Sequence, residues 1–173
     1  EACLVGSEMC IRDRDCIKEM IQVAIEQFGR IDMAIANAGI TTFGRFLEYD
    51  ATDFERLMAV NLRGSFFLAQ KAAQQMIKQQ SGGNLLFMSS VTGHQAHPEL
   101  TAYGMTKAAL RMLAQCLGVE LAPNGIRVNA ISPGATLTER TLDLDPNFQK
   151  IWNGITPLGK TASTADIAHA ALF

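Results

Sequence analysis

The chain has 173 residues, 48% of them hydrophobic and 18% charged, with a formal net charge of −2 and a sequence pI near 5.9. This composition suits a single domain with a sizeable apolar core and excludes a disordered chain. The charge balance gives no basic surface for nucleic acid, and no apolar run approaches the ~18 residues of a membrane span, so neither partner is expected. The four cysteines form no C-x-x-C pair, which indicates reduced thiols, a cytoplasmic location and no metal site.

Strands and helices alternate along the chain. Short apolar runs bounded by turn residues predict strands, and apolar residues recurring every three or four positions predict helices. In chain order the predicted elements are a strand at residues 2–5, a helix at 15–28 between Asp13 or Asp15 and Gly29, a buried strand at 31–36, a helix at 52–80 that bends near Asn61 and Gly64, a strand at 85–88, a helix from 101, a strand at 126–131 and a helix from 165. Residues 137–160 form a polar stretch with poor periodicity.

This alternation predicts one α/β domain over residues 1–173, with a doubly wound, Rossmann-like parallel sheet and helices on both faces. Sheets of this kind usually carry more strands than the predicted ones. The sequence therefore predicts a sheet that is incomplete at both ends.

Three side chains that can carry chemistry converge on one edge of the predicted sheet. Ser90 follows the strand at 85–88, at the end of the strand where ligands bind in open parallel sheets. Tyr103 and Lys107 are four residues apart, on one face of the next helix. An ammonium one turn from a phenol stabilises the phenolate and makes proton transfer efficient near neutral pH, while a serine hydroxyl can position a substrate oxygen. The set predicts acid–base chemistry on a carbonyl or alcohol, although a Tyr-x-x-x-Lys pair alone is most often structural.

The order and spacing of four features resemble the classical subgroup of the short-chain dehydrogenase/reductase family. The features are Asn37-Ala38-Gly39 after a strand, Asn61 within a helix, Ser90 thirteen residues before the Tyr of Tyr103-x-x-x-Lys107, and Pro133-Gly134 with Thr138 after a strand. The spacing to Tyr103 selects Ser90 over its neighbour Ser89.

The resemblance implies a role for each matched residue. Tyr103 would be the proton donor or acceptor, Lys107 would support it and bind the nicotinamide ribose, and Ser90 would orient the substrate oxygen. Asn61 would complete the catalytic set by holding a water of the proton relay. The positions that would bind the cofactor, NAD or NADP, are Ala36, Asn37, Gly39, Tyr103, Lys107, Pro133, Gly134, Thr136 and Thr138. Residues 137–160 would form the substrate loop.

The sequence thus predicts an NAD(P)-dependent oxidoreductase that interconverts a secondary alcohol and a ketone by hydride transfer. Two alternatives stay open: a 3-oxoacyl-thioester reductase of the same family, and a catalytically incompetent fragment or cofactor-binding scaffold. The second arises because the family's N-terminal Gly-rich turn and last strand have no match, which predicts an internal fragment of a protein of roughly 250 residues.

The resemblance also implies a homodimer or homotetramer. Its contacts would be made by the helices at 52–80 and 103–122. The second of these is apolar around much of its circumference, which a helix packed only on its own sheet does not need.

Overall fold

The computed structural model describes residues 13–172, so the strand predicted at residues 2–5 lies outside the described residues. Within them, the helices are α1 (Arg14–Phe28), α2 (Ala51–Met58), α3 (Ser65–Gln79), α4 (Thr101–Leu121), α5 (Glu139–Leu144), α6 (Phe148–Ile155) and α7 (Thr164–Leu172), and the strands are β1 (Met33–Ala36), β2 (Gly83–Met88) and β3 (Ile126–Ile131). The chain forms two compact units, the first ending at Ala130 and the second beginning at Ile131.

The three strands form one sheet in the order β1-β2-β3, which confirms the predicted α/β class. β1 and β2 are parallel, with Ile35 opposite Leu86 and Ala36 opposite Phe87. β1 begins two residues later than predicted. The reason is that the Gln79 side chain, and not a neighbouring strand, binds the backbone N–H and C=O of Ile31, both at 2.9 Å.

The main core of the first unit lies between the sheet and α1, α3 and α4. Its buried members from the sheet and these helices are Ala36, Leu85, Phe87 and Ile126, then Ala69, Ala72, Ala73 and Met76, and then Leu110 and Ala114. Alternate residues of a strand point to opposite faces, so Met33 and Ile35 point away from this core. They are 37% and 40% exposed. β1 was predicted to be a buried strand, and the structure shows that only one of its faces is covered.

Local capping sets the ends of the first helix. Asp13 accepts a hydrogen bond from the backbone N–H of Asp15 at 2.9 Å and caps α1. Gly29 ends it with φ 78°, a left-handed conformation that glycine adopts without a Cβ penalty. Both predicted helix signals are confirmed.

The helix predicted at 52–80 is interrupted near its middle. Asp50 caps α2 through the backbone N–H groups of Thr52 and Asp53, at 2.8 and 3.1 Å. A π-helical turn, Ala59–Gly64, then joins α2 to α3. The irregularity expected from the Asn and Gly of this segment is thus a widened helical turn. Such turns are frequently found at functional sites.

Residues 137–160 contain helices α5 and α6, which the poor periodicity of this stretch did not predict. That the stretch forms the substrate loop stays a prediction. α6 has its apolar residues, Phe148, Ile151, Trp152 and Ile155, at i, i+3, i+4 and i+7, a local signal that could have predicted it. α5 has only six residues, too few to show a clear apolar period. α5 is instead stabilised by a reciprocal cap. The Thr138 hydroxyl accepts from the backbone N–H of Thr141 at 3.1 Å, and the Thr141 hydroxyl accepts from the backbone N–H of Thr138 at 2.8 Å.

Candidate active site

The C-terminal end of β2 carries two serines in different environments. Ser89 is 5% exposed, and its hydroxyl donates a hydrogen bond to the backbone carbonyl of Lys107 at 2.7 Å. Ser90 is partly exposed and begins a 3-10 turn, Val91–Gly93, in which its Oγ accepts from the backbone N–H of Thr92 at 3.2 Å. The hydroxyl of Ser89 is thus part of a buried contact between strand and helix, whereas that of Ser90 lies where a ligand can approach.

Tyr103 and Lys107 lie on one face of α4, as their spacing predicts. The Lys107 Nζ is 5.5 Å from the centroid of the Tyr103 ring. It donates a hydrogen bond to the backbone carbonyl of Met88, the last residue of β2, at 2.7 Å. The Lys107 side chain therefore spans from the helix to the strand end that precedes Ser90.

Burial changes the acid–base properties of Lys107. The residue is 4% exposed, and loss of water around its ammonium lowers the pKa from 10.5 to about 8. At pH 7 roughly nine in ten of these side chains still carry the charge. The site thus holds a positive charge at neutral pH whose proton is less firmly bound than that of a solvated lysine.

Asn61 lies in the π-helical turn and is fully buried. Its side-chain Oδ1 accepts from the backbone N–H of Ile40 at 2.8 Å, and its Nδ2 donates to the Ile40 carbonyl at 2.9 Å. Nδ2 also donates to the Thr106 hydroxyl at 3.2 Å, and Ser65 donates to the Asn61 backbone carbonyl at 2.7 Å. Asn61 thus connects the segment after β1 to the second turn of α4.

The segment after β1 brings Gly39 next to both Asn61 and Lys107. A methyl group on the Gly39 Cα would lie 3.4 Å from the Asn61 Oδ1 and 3.4 Å from the Lys107 Nζ. Ala36 is 6% exposed at the end of β1, and Asn37 is exposed. Of the cofactor positions predicted here, the structure places Gly39 beside the predicted catalytic residues.

The remaining predicted cofactor positions are Pro133, Gly134, Thr136 and Thr138, which come after β3 in the sequence and belong to the second unit. The Thr136 hydroxyl donates to the Gly134 carbonyl at 3.2 Å, and Thr138 caps α5. Thr136 also pairs with Ala162 in an isolated parallel bridge. These contacts fix Gly134, Thr136 and Thr138 within their own unit, and contact of Pro133–Thr138 with the cofactor stays a prediction.

Three further residues, Ser65, Ser89 and Thr106, support the site through buried hydrogen bonds and were not predicted from the sequence. Thr106 is fully buried, and its hydroxyl donates to the Tyr103 backbone carbonyl at 2.8 Å. Its position three residues after Tyr103 placed it on the same helix face, a signal that could have found it. The contacts of Ser65 and Ser89 depend on the π-helical turn and on strand–helix packing, which the sequence pattern does not reveal.

Comparison with known proteins decides the family. A family model described as enoyl-(acyl carrier protein) reductase matches residues 5–173. The chain belongs to the short-chain dehydrogenase/reductase family. Within residues 13–172, no helix of this family member is long and apolar enough to cross a membrane, and no three His, Cys, Asp or Glu side chains gather as metal ligands.

Similar members of the short-chain dehydrogenase/reductase family include enzymes with different substrates in their names. The chain is 34% identical to an L-rhamnose 1-dehydrogenase (NAD(P)(+)) of a Sphingomonas species, over 94% of this chain and 65% of that protein. It is 34% identical to a 3-oxoacyl-[acyl-carrier-protein] reductase of Thermotoga maritima, over 94% of this chain and 66% of the relative.

A solved structure agrees in fold. The crystal structure of a gluconate 5-dehydrogenase from Burkholderia cenocepacia, in complex with NADP and tartrate, superposes with a TM-score of 0.86 at 31% identity, covering 94% of this chain and 64% of that one. The chain thus spans about two thirds of the length of each of these relatives.

Proposed function

We propose that the full-length protein is an NAD(P)-dependent oxidoreductase that interconverts a secondary alcohol and a ketone. The observation that carries the proposal is the buried Lys107 ammonium, held 5.5 Å from the centroid of the Tyr103 ring. Its hydrogen bond to the Met88 carbonyl anchors it at the strand end from which Ser90 follows. A phenol, a cation and a partly exposed hydroxyl at one strand end suit proton transfer to a substrate oxygen.

The chain's own residues account for the proton. In the reducing direction the Tyr103 hydroxyl donates its proton to the ketone oxygen while Ser90 donates a hydrogen bond to the same oxygen and orients it. The nicotinamide ring, when bound, supplies the hydride to the carbonyl carbon. The positive charge of Lys107 stabilises the phenolate that remains on Tyr103. In the oxidising direction the phenolate takes the proton back from the alcohol.

Asn61 contributes to this site through its buried side-chain carboxamide. Its carboxamide binds Ile40 and Thr106, which uses one of the two lone pairs of Oδ1, and Oδ1 flanks Gly39 together with the Lys107 Nζ. A carboxamide oxygen and an ammonium facing the same small space suit a bound water. We propose that Asn61 holds the relay water here through this oxygen.

The residues present fit a nicotinamide cofactor. A lysine ammonium has three N–H donors, one of which Lys107 gives to the Met88 carbonyl, so others can bind ribose hydroxyls. Gly39 has no side chain to obstruct a ligand beside the Lys107 Nζ. We propose that Ala36, Asn37 and Gly39 line the cofactor on the side of β1. The positions proposed to hold it after β3 are Pro133, Gly134, Thr136 and Thr138.

Substituting Tyr103 by phenylalanine tests the proposal. Oxidation of reduced cofactor is followed at 340 nm with a panel of ketones, ketoses and 3-oxoacyl thioesters. Tyr103→Phe removes the proton donor and is expected to lower kcat by a factor of about 10³ or more. Tyr49→Phe is the matched control, because the Tyr49 hydroxyl binds the Thr42 hydroxyl instead of a candidate catalytic group.

The outcomes separate the candidate functions. Turnover restricted to acyl thioesters would favour the 3-oxoacyl reductase, which the Thermotoga maritima relative supports. A folded protein that binds cofactor and turns over no substrate of the panel would favour the scaffold. Retained turnover in Tyr103→Phe would refute the assigned role of Tyr103.

We also propose a homodimer or homotetramer whose contacts are made by the helices at 52–80 (α2 and α3) and 103–122 (α4). Apolar side chains on these helices are exposed in the single chain: Phe66 at 43%, Met105 at 52%, Met112 at 58% and Val119 at 81%. A surface of this kind is typical of contacts between subunits. Light scattering from the full-length protein at micromolar concentration should give a multiple of the chain mass, and a monomer would refute the proposal. We also propose a cytoplasmic location, which the free thiol of Cys116 suits.

A further inference from the structure

The turn that begins at Ser90 lies directly against the backbone of α4. A methyl group on the Cα of Gly104 would lie 2.9 Å from the backbone oxygen of Thr92. A methyl group on Gly93 would lie 2.9 Å from the carbonyl carbon of Lys107, 3.0 Å from its oxygen and 3.0 Å from the N of Ala108. Every atom in these contacts belongs to the backbone. No side chain can rotate away, so the two segments can approach this closely only where both carry glycine.

Three hydrogen bonds hold the two segments together around this contact. The Ser89 hydroxyl donates to the Lys107 carbonyl at 2.7 Å, and the Lys107 Nζ donates to the Met88 carbonyl at 2.7 Å. Arg111, one turn further along α4, donates from Nη1 to the Gly93 carbonyl at 3.2 Å. These bonds reach the segment before the turn and the last residue of the turn. The bonds hold the turn against α4, so that the backbone atoms of the two segments are in contact.

We propose that Gly93 and Gly104 are positioning residues, whose side-chain-free contact sets the distance between the Ser90 hydroxyl and the Tyr103 phenol. Ser90 is the first residue of the turn, and Gly104 directly follows Tyr103 in the helix. The separation of the turn from the helix therefore becomes the separation of the two hydroxyls that must reach one substrate oxygen. This inference rests on the proposed function.

The expected effect of a methyl group follows from the distances. A carbon atom 2.9 Å from a carbonyl oxygen must move away by about 0.5 Å to reach ordinary contact. Because a misplacement of about 1 Å can cost on the order of 10²-fold in rate, half that distance corresponds to about tenfold. Gly104→Ala is therefore expected to lower kcat about tenfold. Gly93→Ala, resisted by three backbone atoms, is expected to lower it further and to lower the Tm as well.

Gly118 provides a matched control within the same helix. A methyl group there would lie 3.8 Å from the Val128 oxygen, an ordinary contact. Alanine is favoured over glycine inside a helix by about 1 kcal/mol, so both Gly104→Ala and Gly118→Ala gain helix propensity. Gly118→Ala is expected to keep the wild-type kcat. Gly104→Ala is expected to stay folded, with a Tm within about 4 °C of wild type.

The experiment measures kcat, the KM for substrate, the Tm and the Kd for reduced cofactor, by nicotinamide fluorescence, in the full-length protein. The inference predicts that Gly104→Ala loses kcat while the Kd for cofactor and the Tm are kept. Equal kcat in Gly104→Ala and Gly118→Ala would overturn the inference. A parallel loss of kcat, cofactor binding and Tm in Gly104→Ala would overturn it as well. A wild-type protein that turns over none of the substrates would instead refute the proposed function, before any glycine variant is compared.

Discussion

Replacing Lys107 by methionine tests the burial of its ammonium. The side chain is 4% exposed, and burial lowers its pKa from 10.5 to about 8. Below pH 8 the group is protonated in the folded and the unfolded chain, and the folded state bears the full cost of the buried charge. Between pH 8 and 10.5 the folded chain releases the proton while the unfolded chain keeps it. The free energy of unfolding therefore rises with pH in this window.

The size of the effect follows from the pKa. At pH 9, one unit above the folded value, the gain relative to pH 7 is about 1.4 kcal/mol. Methionine cannot titrate, so Lys107→Met lacks this gain at either pH. The variant also loses the hydrogen bond to the Met88 carbonyl, but that loss enters at both pH values and cancels in the difference. The stability of wild type relative to the variant should thus increase by about 1.4 kcal/mol from pH 7 to pH 9.

Urea unfolding of the full-length, cofactor-free protein, followed by circular dichroism at both pH values, measures this difference. Lys78→Met is the control, because Lys78 lies exposed near the end of α3, and its substitution should shift the pH dependence little. A change below about 0.5 kcal/mol for Lys107→Met would show that the ammonium is solvated. The account of a buried cation beside Tyr103 would then be wrong.

Two further predictions concern stability. Gln79→Ala leaves both backbone polar groups of Ile31 unpaired and should lower the free energy of unfolding by about 1–3 kcal/mol in urea, whereas Gln74→Ala on the exposed side of α3 should change it little. Glu99 has φ 62°, a left-handed conformation that costs a side chain roughly 1 kcal/mol, so Glu99→Gly should raise the Tm. Glu19→Gly, at an exposed helical position of α1, should lower the Tm, and a change of the same sign in both variants would contradict the assignment of strain to Glu99.

Elements with local signals could be predicted from the sequence. α1 follows from apolar spacing with Asp13 before it and Gly29 after it, and β3 has the predicted bounds because Gly125 and the Ser132-Pro133 pair mark its ends. The shared face of Tyr103 and Lys107 likewise follows from helical periodicity. Each of these signals acts within a few residues.

Features that depend on distant contacts could not be predicted. Local patterns do not indicate that Lys107 reaches the Met88 carbonyl, 19 residues away, or that Asn61 binds Thr106, 45 residues away. The exposed face of β1 depends in the same way on which elements cover it. α5 was not predicted because a reciprocal threonine cap, and not an apolar stripe, stabilises it. The apolar spacing within α6 is, by contrast, a local signal of a helix.

Because the π-helical turn Ala59–Gly64 joins α2 to α3, the number of residues in this segment is more constrained than their identity. Since successive helical residues are rotated by about 100°, deleting a single residue there would turn the following fifteen-residue helix by that angle relative to α2. Met76 and its buried neighbours would then face solvent, while Asn61 would lose its partner on the segment after β1. This stretch therefore tolerates a change of residue type more readily than a change in the number of its residues.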